Sequence, residues 1–208
     1  VYNPEIGDGR GFLFAQMRAA DGRILDLGTK GSGQTPFSRT ADGRLTLKGA
    51  VREILATEML EALGVNTSKT FSVIETGESL QRHDEPSPTR AAVLVRLSHS
   101  HIRIGSFQRL RFMDDQDGLE MLVRHAARHY FADSLNADDD IGALAVAFID
   151  AVAARVADTA GAWMASGFVH GVLNTDNFNI TGESFDYGPW RFMDRFDSGF
   201  VAAYFDQG

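Results

Sequence analysis

The stretch His170-Gly171-Val172-Leu173-Asn174-Thr175-Asp176-Asn177, with Asp186-Tyr187-Gly188-Pro189 beginning nine residues after Asn177, decides how the rest of the chain is read. An Asn stands seven residues after a His, and an Asp-aromatic-Gly triplet follows it. Asp and Asn offer hard oxygen donors, and a small set of them leaves room for water and phosphate oxygens, which is how magnesium is usually held. The plain alternative is that Asn174 to Asn177 is only a polar turn. The joint occurrence of His170, Asn177 and Asp186-x-Gly188 favours the metal-bearing reading.

The same spacing belongs to the protein-kinase signature His-Arg-Asp-x-x-x-x-Asn followed by Asp-Phe-Gly, in which the first Asp is the base and the later Asn and Asp hold metal. Here the base position is Val172, which cannot accept a proton. The metal-ligand outline is kept while the usual base is absent.

The 208 residues are 44% hydrophobic and 23% charged, the balance of an ordinary globular chain with one substantial core or two small lobes. Residues 141–163 are rich in apolar side chains, but Asp150, Arg155 and Asp158 interrupt them, so they read as a buried or amphipathic helix and not a membrane span. A formal net charge of −8 argues against a general nucleic-acid or anionic-membrane binder, which needs a basic face to displace counterions. The absence of Cys excludes a disulfide framework, a thiolate zinc site and a thiol nucleophile among these residues. The chain opens at Val1 without an initiator Met and stops just after an aromatic run at 200–205, so it reads as a piece of a longer protein.

Outward from the motif, residues 12–17 and 23–28 read as two strands around Ala20-Asp21-Gly22, preceded by the glycine run Gly7-Asp8-Gly9-Arg10-Gly11. Over residues 47–63 the apolar side chains Val51, Ile54, Leu55, Met59, Leu60 and Leu63 recur at helical spacing, with Glu53 near the middle and Gly64 as a stop. Residues 71–75 and 91–96 read as two further strands joined by a polar segment at 77–89. Helical patterns follow at 119–131 and 140–166, the second opened by Asp138-Asp139-Asp140, whose charges suit a helix N-terminus. The expected class is therefore α+β. The order is that of a kinase-like two-lobed fold, with a strand-rich N-lobe at 1–97, part of a helical C-lobe at 98–208, and ATP between them.

Several side chains are candidates for such a site. Glycines let backbone N–H groups approach phosphate closely, although Gly7-x-Gly9-x-Gly11 alone is more readily a turn before a hairpin. Arg10 within it adds a bidentate phosphate donor. Lys30 ends the second strand and Glu53 lies 23 residues later, matching the order in which a strand Lys grips phosphate and a helix Glu orients it. Arg96 and Arg103 flank Ser98-His99-Ser100-His101, where they either neutralise phosphate or pair with this acidic chain's own carboxylates. His99/His101 and His125/His129 invite a zinc reading, but no Glu follows His125 and no third ligand stands out, so zinc is set aside.

Together these segments resemble the selenoprotein O family of pseudokinase-like protein adenylyltransferases. The residues that carry the resemblance are Ile6-Gly7-Asp8-Gly9-Arg10, Thr29-Lys30-Gly31-Ser32-Gly33-Gln34-Thr35-Pro36-Phe37-Ser38-Arg39, Ala41-Asp42-Gly43-Arg44, Val51-Arg52-Glu53, residues 96–107 and residues 170–189. The resemblance implies that ATP binds reversed in a kinase-like cleft and that AMP passes to Ser, Thr or Tyr hydroxyls of protein substrates, with no nucleic-acid or membrane partner. It implies nucleotide contacts at Gly7, Gly9, Arg10, Lys30, Asp42, Gly43, Arg96, Arg103 and Asp186. Asp176 is the implied proton acceptor, Asn177 and Asp186 the ligands of magnesium or manganese, and Glu53 the partner of Lys30. A bacterial protein of this kind is expected in the cytoplasm, a eukaryotic one also in mitochondria. Two other functions stay open on the residues alone: transfer of the γ-phosphate, weakened by Val172, and a nucleotide-binding scaffold without catalysis.

Overall fold

The computed structural model describes residues 11–36, 43–82 and 85–202. The first half is an antiparallel sheet with one helix. β1 (Gly11–Arg18) and β2 (Ile24–Lys30) form the expected hairpin, and β3 (Leu45–Thr46) leads directly into α1 (Leu47–Ala62). β4 (Lys69–Leu80) and β5 (Thr89–Ser98) complete the sheet, with β5 central and paired to β2, β3 and β4. β4 runs five residues beyond the expected strand, into the segment read as a polar connection. The second half holds α2 (Ile104–Phe112), α3 (Gln116–Tyr130) and α4 (Ile141–Ser166), then two short paired strands, β6 (Phe168–His170) and β7 (Trp190–Phe192). The class is α+β, as the sequence pattern indicates.

Register puts charges on the inner face of the sheet. Lys30 pairs with Leu94, Gly28 with Arg96 and Asp26 with Ser98. Opposed residues in an antiparallel pair share a face and side chains alternate along each strand, so Asp26, Lys30 and Arg96 lie on one side. The same side buries Ala92, Leu94 and Ser98.

α1 packs against that sheet. Thr46 caps it, its hydroxyl oxygen accepting a hydrogen bond from the Gly49 amide at 3.0 Å. The buried stripe is Ala50, Glu53, Ala56, Thr57 and Leu60, whereas Val51, Leu55, Met59 and Leu63 are exposed. Of the apolar residues that mark the periodicity, Leu60 is buried and Ile54 half-buried, while the other four are exposed. Glu53 turns the helix, because a carboxylate that is only 2% exposed needs the cations of the sheet beside it.

Two cores result. One joins α3 and α4 through Val123, Ala127, Phe131, Leu144, Phe148 and Ile180. The other joins α1 to the chain around β6, with Ala56, Leu60 and Val65 against Trp163, Phe168 and Tyr187. This second cluster fixes the helix that carries Glu53 against the segment that carries Asp186. Asp140 caps α4 by accepting from the Ala143 amide at 3.2 Å.

Candidate active site

The motif stretch is the excursion between β6 and β7. Its ends are closed by the hydrogen bond from the Gly171 amide to the Pro189 carbonyl at 2.7 Å. Along its length it is bonded to both halves of the chain. Ile104 N donates to the Phe178 carbonyl at 3.1 Å, Ile180 N to the Ile102 carbonyl at 3.1 Å, and Ser68 N to the Ser184 carbonyl at 2.9 Å. An irregular loop that satisfies its backbone groups in this way is held rigidly enough to position side chains.

Lys30, Glu53, Arg96 and Asp186 meet at the sheet face. Lys30 Nζ lies 2.5 Å from Glu53 Oε1 and 2.6 Å from Asp186 Oδ1. Arg96 Nη2 lies 3.7 Å from Glu53 Oε2 and 3.5 Å from Asp186 Oδ1. Of the two sequence readings of Arg96, the pairing with the chain's own carboxylates is the one seen here. Arg96 and Arg103 lie over the Phe185 ring, at 5.3 and 5.4 Å from its centroid. Phe185, next to the motif Asp, was not singled out in the sequence, where the aromatic residue before Asp186 was its sole signal.

Asp186 is set apart in three ways. Its φ of 61° is left-handed, a conformation that costs a non-glycine residue energy and is retained where the surroundings enforce it. Burial by itself raises its pKa, but the positive charges of Lys30, Arg96 and Arg103 outweigh burial and hold it well below the ordinary carboxylate value. Its Oδ2 is buried without a hydrogen-bond partner. A charged, buried oxygen with no donor is what a cation would satisfy. Asn177 donates its Nδ2 to the Val172 carbonyl at 2.7 Å, which leaves the amide oxygen as its acceptor. The donors at Asn177 and Asp186 are hard oxygens and fit magnesium. Among the described residues no group of three or more His, Cys, Asp or Glu side chains is arranged for a metal.

Val172 keeps a function through its backbone, since its carbonyl fixes Asn177 although its side chain cannot take a proton. Asp176 stands on the same loop, with its amide donating to Asn174 Oδ1 at 2.9 Å. His170 is 8% exposed, packs against Trp163 and Tyr187, and accepts at Nδ1 from the Val172 amide at 3.3 Å. Burial lowers its pKa, with the Asp186 charge partly opposing. It is a neutral structural member of the loop.

Gly43 accepts at its carbonyl from Gly33 N at 3.0 Å, with φ of 80°, and a Cβ there would stand 2.1 Å from the Gly33 carbonyl oxygen. Glycine is therefore required at this turn. Gly7, Gly9, Arg10 and Asp42 lie outside the described residues.

The family model of protein adenylyltransferase SelO matches residues 1–208. The chain belongs to the SelO family. Relatives named protein nucleotidyltransferase YdiU include one from Synechocystis, 55% identical over 207 residues, and one from Gloeobacter violaceus, 57% identical over 205. They cover 100% and 99% of this chain, which spans 43% and 42% of their lengths. A relative of the same name from Azotobacter vinelandii is 43% identical over 205 residues and is covered to 41% of its length. No helix among the described residues of this SelO-family chain is long and apolar enough to cross a membrane.

Proposed function

We propose that these residues carry the nucleotide site and catalytic centre of a protein adenylyltransferase. In this reading ATP lies reversed between the lobes of a kinase-like fold, with residues 1–97 as the N-lobe and residues 98–208 as part of a helical C-lobe. The observation that carries the reading is the buried cluster of Lys30, Glu53, Arg96 and Asp186, in which one Asp186 oxygen has no partner. The family membership and the nucleotidyltransferase names of the relatives support it.

A cavity of about 460 Å³ adjoins the cluster and is lined in part by Lys30, Arg44, Lys48, Arg52, Arg82 and Glu53. Glu85 also lines it, and Lys30, Arg44 and Lys48 carry carboxylate partners in Glu53, Glu78 and Glu85, yet cations outnumber carboxylates in the lining, which suits a polyphosphate. The connection between β5 and α2 offers little to a base. His99 N donates to Glu183 Oε2 at 2.6 Å, His101 N to Asp26 Oδ2 at 3.0 Å, and Ile102 N to Ser100 Oγ at 2.9 Å. A nucleotide whose base sat there would have to displace these bonds, which favours the reversed placement.

The reaction follows from these residues. A protein Ser, Thr or Tyr oxygen attacks the α-phosphorus, forming the new O–P bond as the bridge to the β-phosphate breaks and pyrophosphate leaves. Asp176 accepts the hydroxyl proton, the task that Val172 cannot perform. Lys30, Arg96 and Arg103, with Arg10, hold phosphate charge, and Glu53 orients Lys30. Asn177 and Asp186 would hold magnesium or manganese, which would neutralise further phosphate charge. Fixed positive groups aimed at phosphate and a held acceptor supply most of the acceleration in such transfers.

The test incubates the full-length protein with magnesium and ATP labelled at the α- or the γ-phosphate. Label on protein from the α-phosphate alone is expected. Label from γ alone would overturn the reading in favour of a kinase, and ATP binding without label from either would make the site a scaffold.

A further inference from the structure

The carboxylate of Asp176 makes no hydrogen bond or ion pair with any described residue, yet a proton acceptor must be held in place. Beside it lies Gly105, in the first turn of α2. A Cβ built on Gly105 would stand 2.0 Å from Asp176 Oδ1 and 3.1 Å from its Cγ, with the next neighbour, the Thr175 carbonyl oxygen, 3.6 Å away. The Gly105 amide donates to that Thr175 oxygen at 3.0 Å. One turn on, Gln108 Oε1 accepts from Thr175 Oγ1 at 2.6 Å.

We propose that the first turn of α2 is the seat of the Asp176 carboxylate, with Gly105 and Gln108 as positioning residues. Gly105 leaves the volume that the carboxylate occupies, and Gln108 holds the neighbouring Thr175 so that the loop cannot back away. The inference rests on Asp176 as the proton acceptor, as proposed above. It makes Gly105 a selective probe. Gly105 lies within a regular helix, where Ala is the better helix former. The added methyl collides with the movable end of the Asp176 side chain, not with backbone. Gly105→Ala should therefore fold normally and displace the carboxylate.

The experiment uses the full-length protein, α-labelled ATP and magnesium, with label transferred to protein as the readout. Displacement of a reacting group by about 1 Å costs on the order of a hundredfold in rate, so Gly105→Ala should lose about that much at saturating ATP. Its ATP affinity and melting temperature should match the parent protein. Thr175→Val, which breaks the bond to Gln108, should show a smaller loss of the same kind and carries the test if Gly105→Ala folds poorly. The decisive comparison is a double-mutant cycle: in an Asp176→Ala background, Gly105→Ala should cause no further loss. A general disturbance of the fold would persist there. The inference is overturned if Gly105→Ala transfers within about twofold of the parent while Asp176→Ala is crippled, or if its loss is undiminished without Asp176. Parent rates in Asp176→Ala would instead overturn the proton-acceptor reading on which the inference stands.

Discussion

Asp186 holds its charge against burial because Lys30 and Arg96 sit within 2.6 and 3.5 Å of its Oδ1. Asp186→Asn keeps the shape but removes the charge, and should reduce transfer at least about a hundredfold with loss of the magnesium dependence of nucleotide binding, followed by titration calorimetry. Lys30→Met removes the nearest cation from both Glu53 and Asp186, leaving the more distant Arg96 as their ion-pair partner, and should lower stability by about 3 kcal/mol in denaturant unfolding, since stripping one member from a buried ion pair exposes the other's desolvation cost. Glu183 shows the opposite imbalance. Burial raises its pKa to about 7, although the His99 amide bond opposes the rise. A folded-state pKa above the unfolded value of 4.5 means that its contribution is present below about pH 4.5 and is lost as pH rises to about 7. The span corresponds to on the order of 3 kcal/mol. Glu183→Gln should match the parent at pH 4.5 and exceed it by a few kcal/mol at pH 8, in unfolding measured at both. Lys30, Glu53, Arg96 and Asp186 were legible in the sequence because spacing and order mark them. Glu183 and Phe185 were not, because a carboxylate or ring becomes special only through what surrounds it.

α1 delivers Glu53, and its start is fixed by one side chain. Thr46→Ala removes the acceptor for the Gly49 amide and should cost about 1 kcal/mol in thermal or denaturant unfolding. The length of α1 was readable from its periodicity and from Gly64, but its buried face was not. Val51, Leu55 and Met59 form an apolar ridge that remains exposed, while Ala50, Ala56, Thr57 and Leu60 are buried along with Glu53. Hydrophobic periodicity weighs only transfer from water, and here an ion pair between elements decided the rotation. α2 went unread for a different reason. It has nine residues, and Arg103 before it provides no side-chain cap. β3, β6 and β7 span two or three residues each, too few for alternation to be recognisable. Such elements form because neighbours pair with them.

Across the whole molecule the site depends on two packed joints. Trp163 of α4 donates from Nε1 to Ser184 Oγ at 2.9 Å and packs in the cluster with Ala56 and Leu60 of α1, tying Asp186's segment to both halves. Phe148 of α4 lies 5.3 Å, ring to ring, from Phe107 of α2 and from Phe131 at the end of α3. Phe148→Ala should destabilise by about 3–5 kcal/mol in denaturant unfolding, with loosening of the helix that seats Asp176. By itself the sequence determined the α+β class, the family, and the order in which a cationic strand residue, an acidic helix residue and the motif loop occur, because these depend on residue type and spacing along the chain. Only the tertiary structure decided that Lys30 bridges two carboxylates, that Arg96 serves both, and that the Asp176 carboxylate rests on Gly105. Those contacts join residues separated by 23, 156, 43, 90 and 71 positions, and no local pattern encodes which side chains a folded sheet, helix and loop will press together.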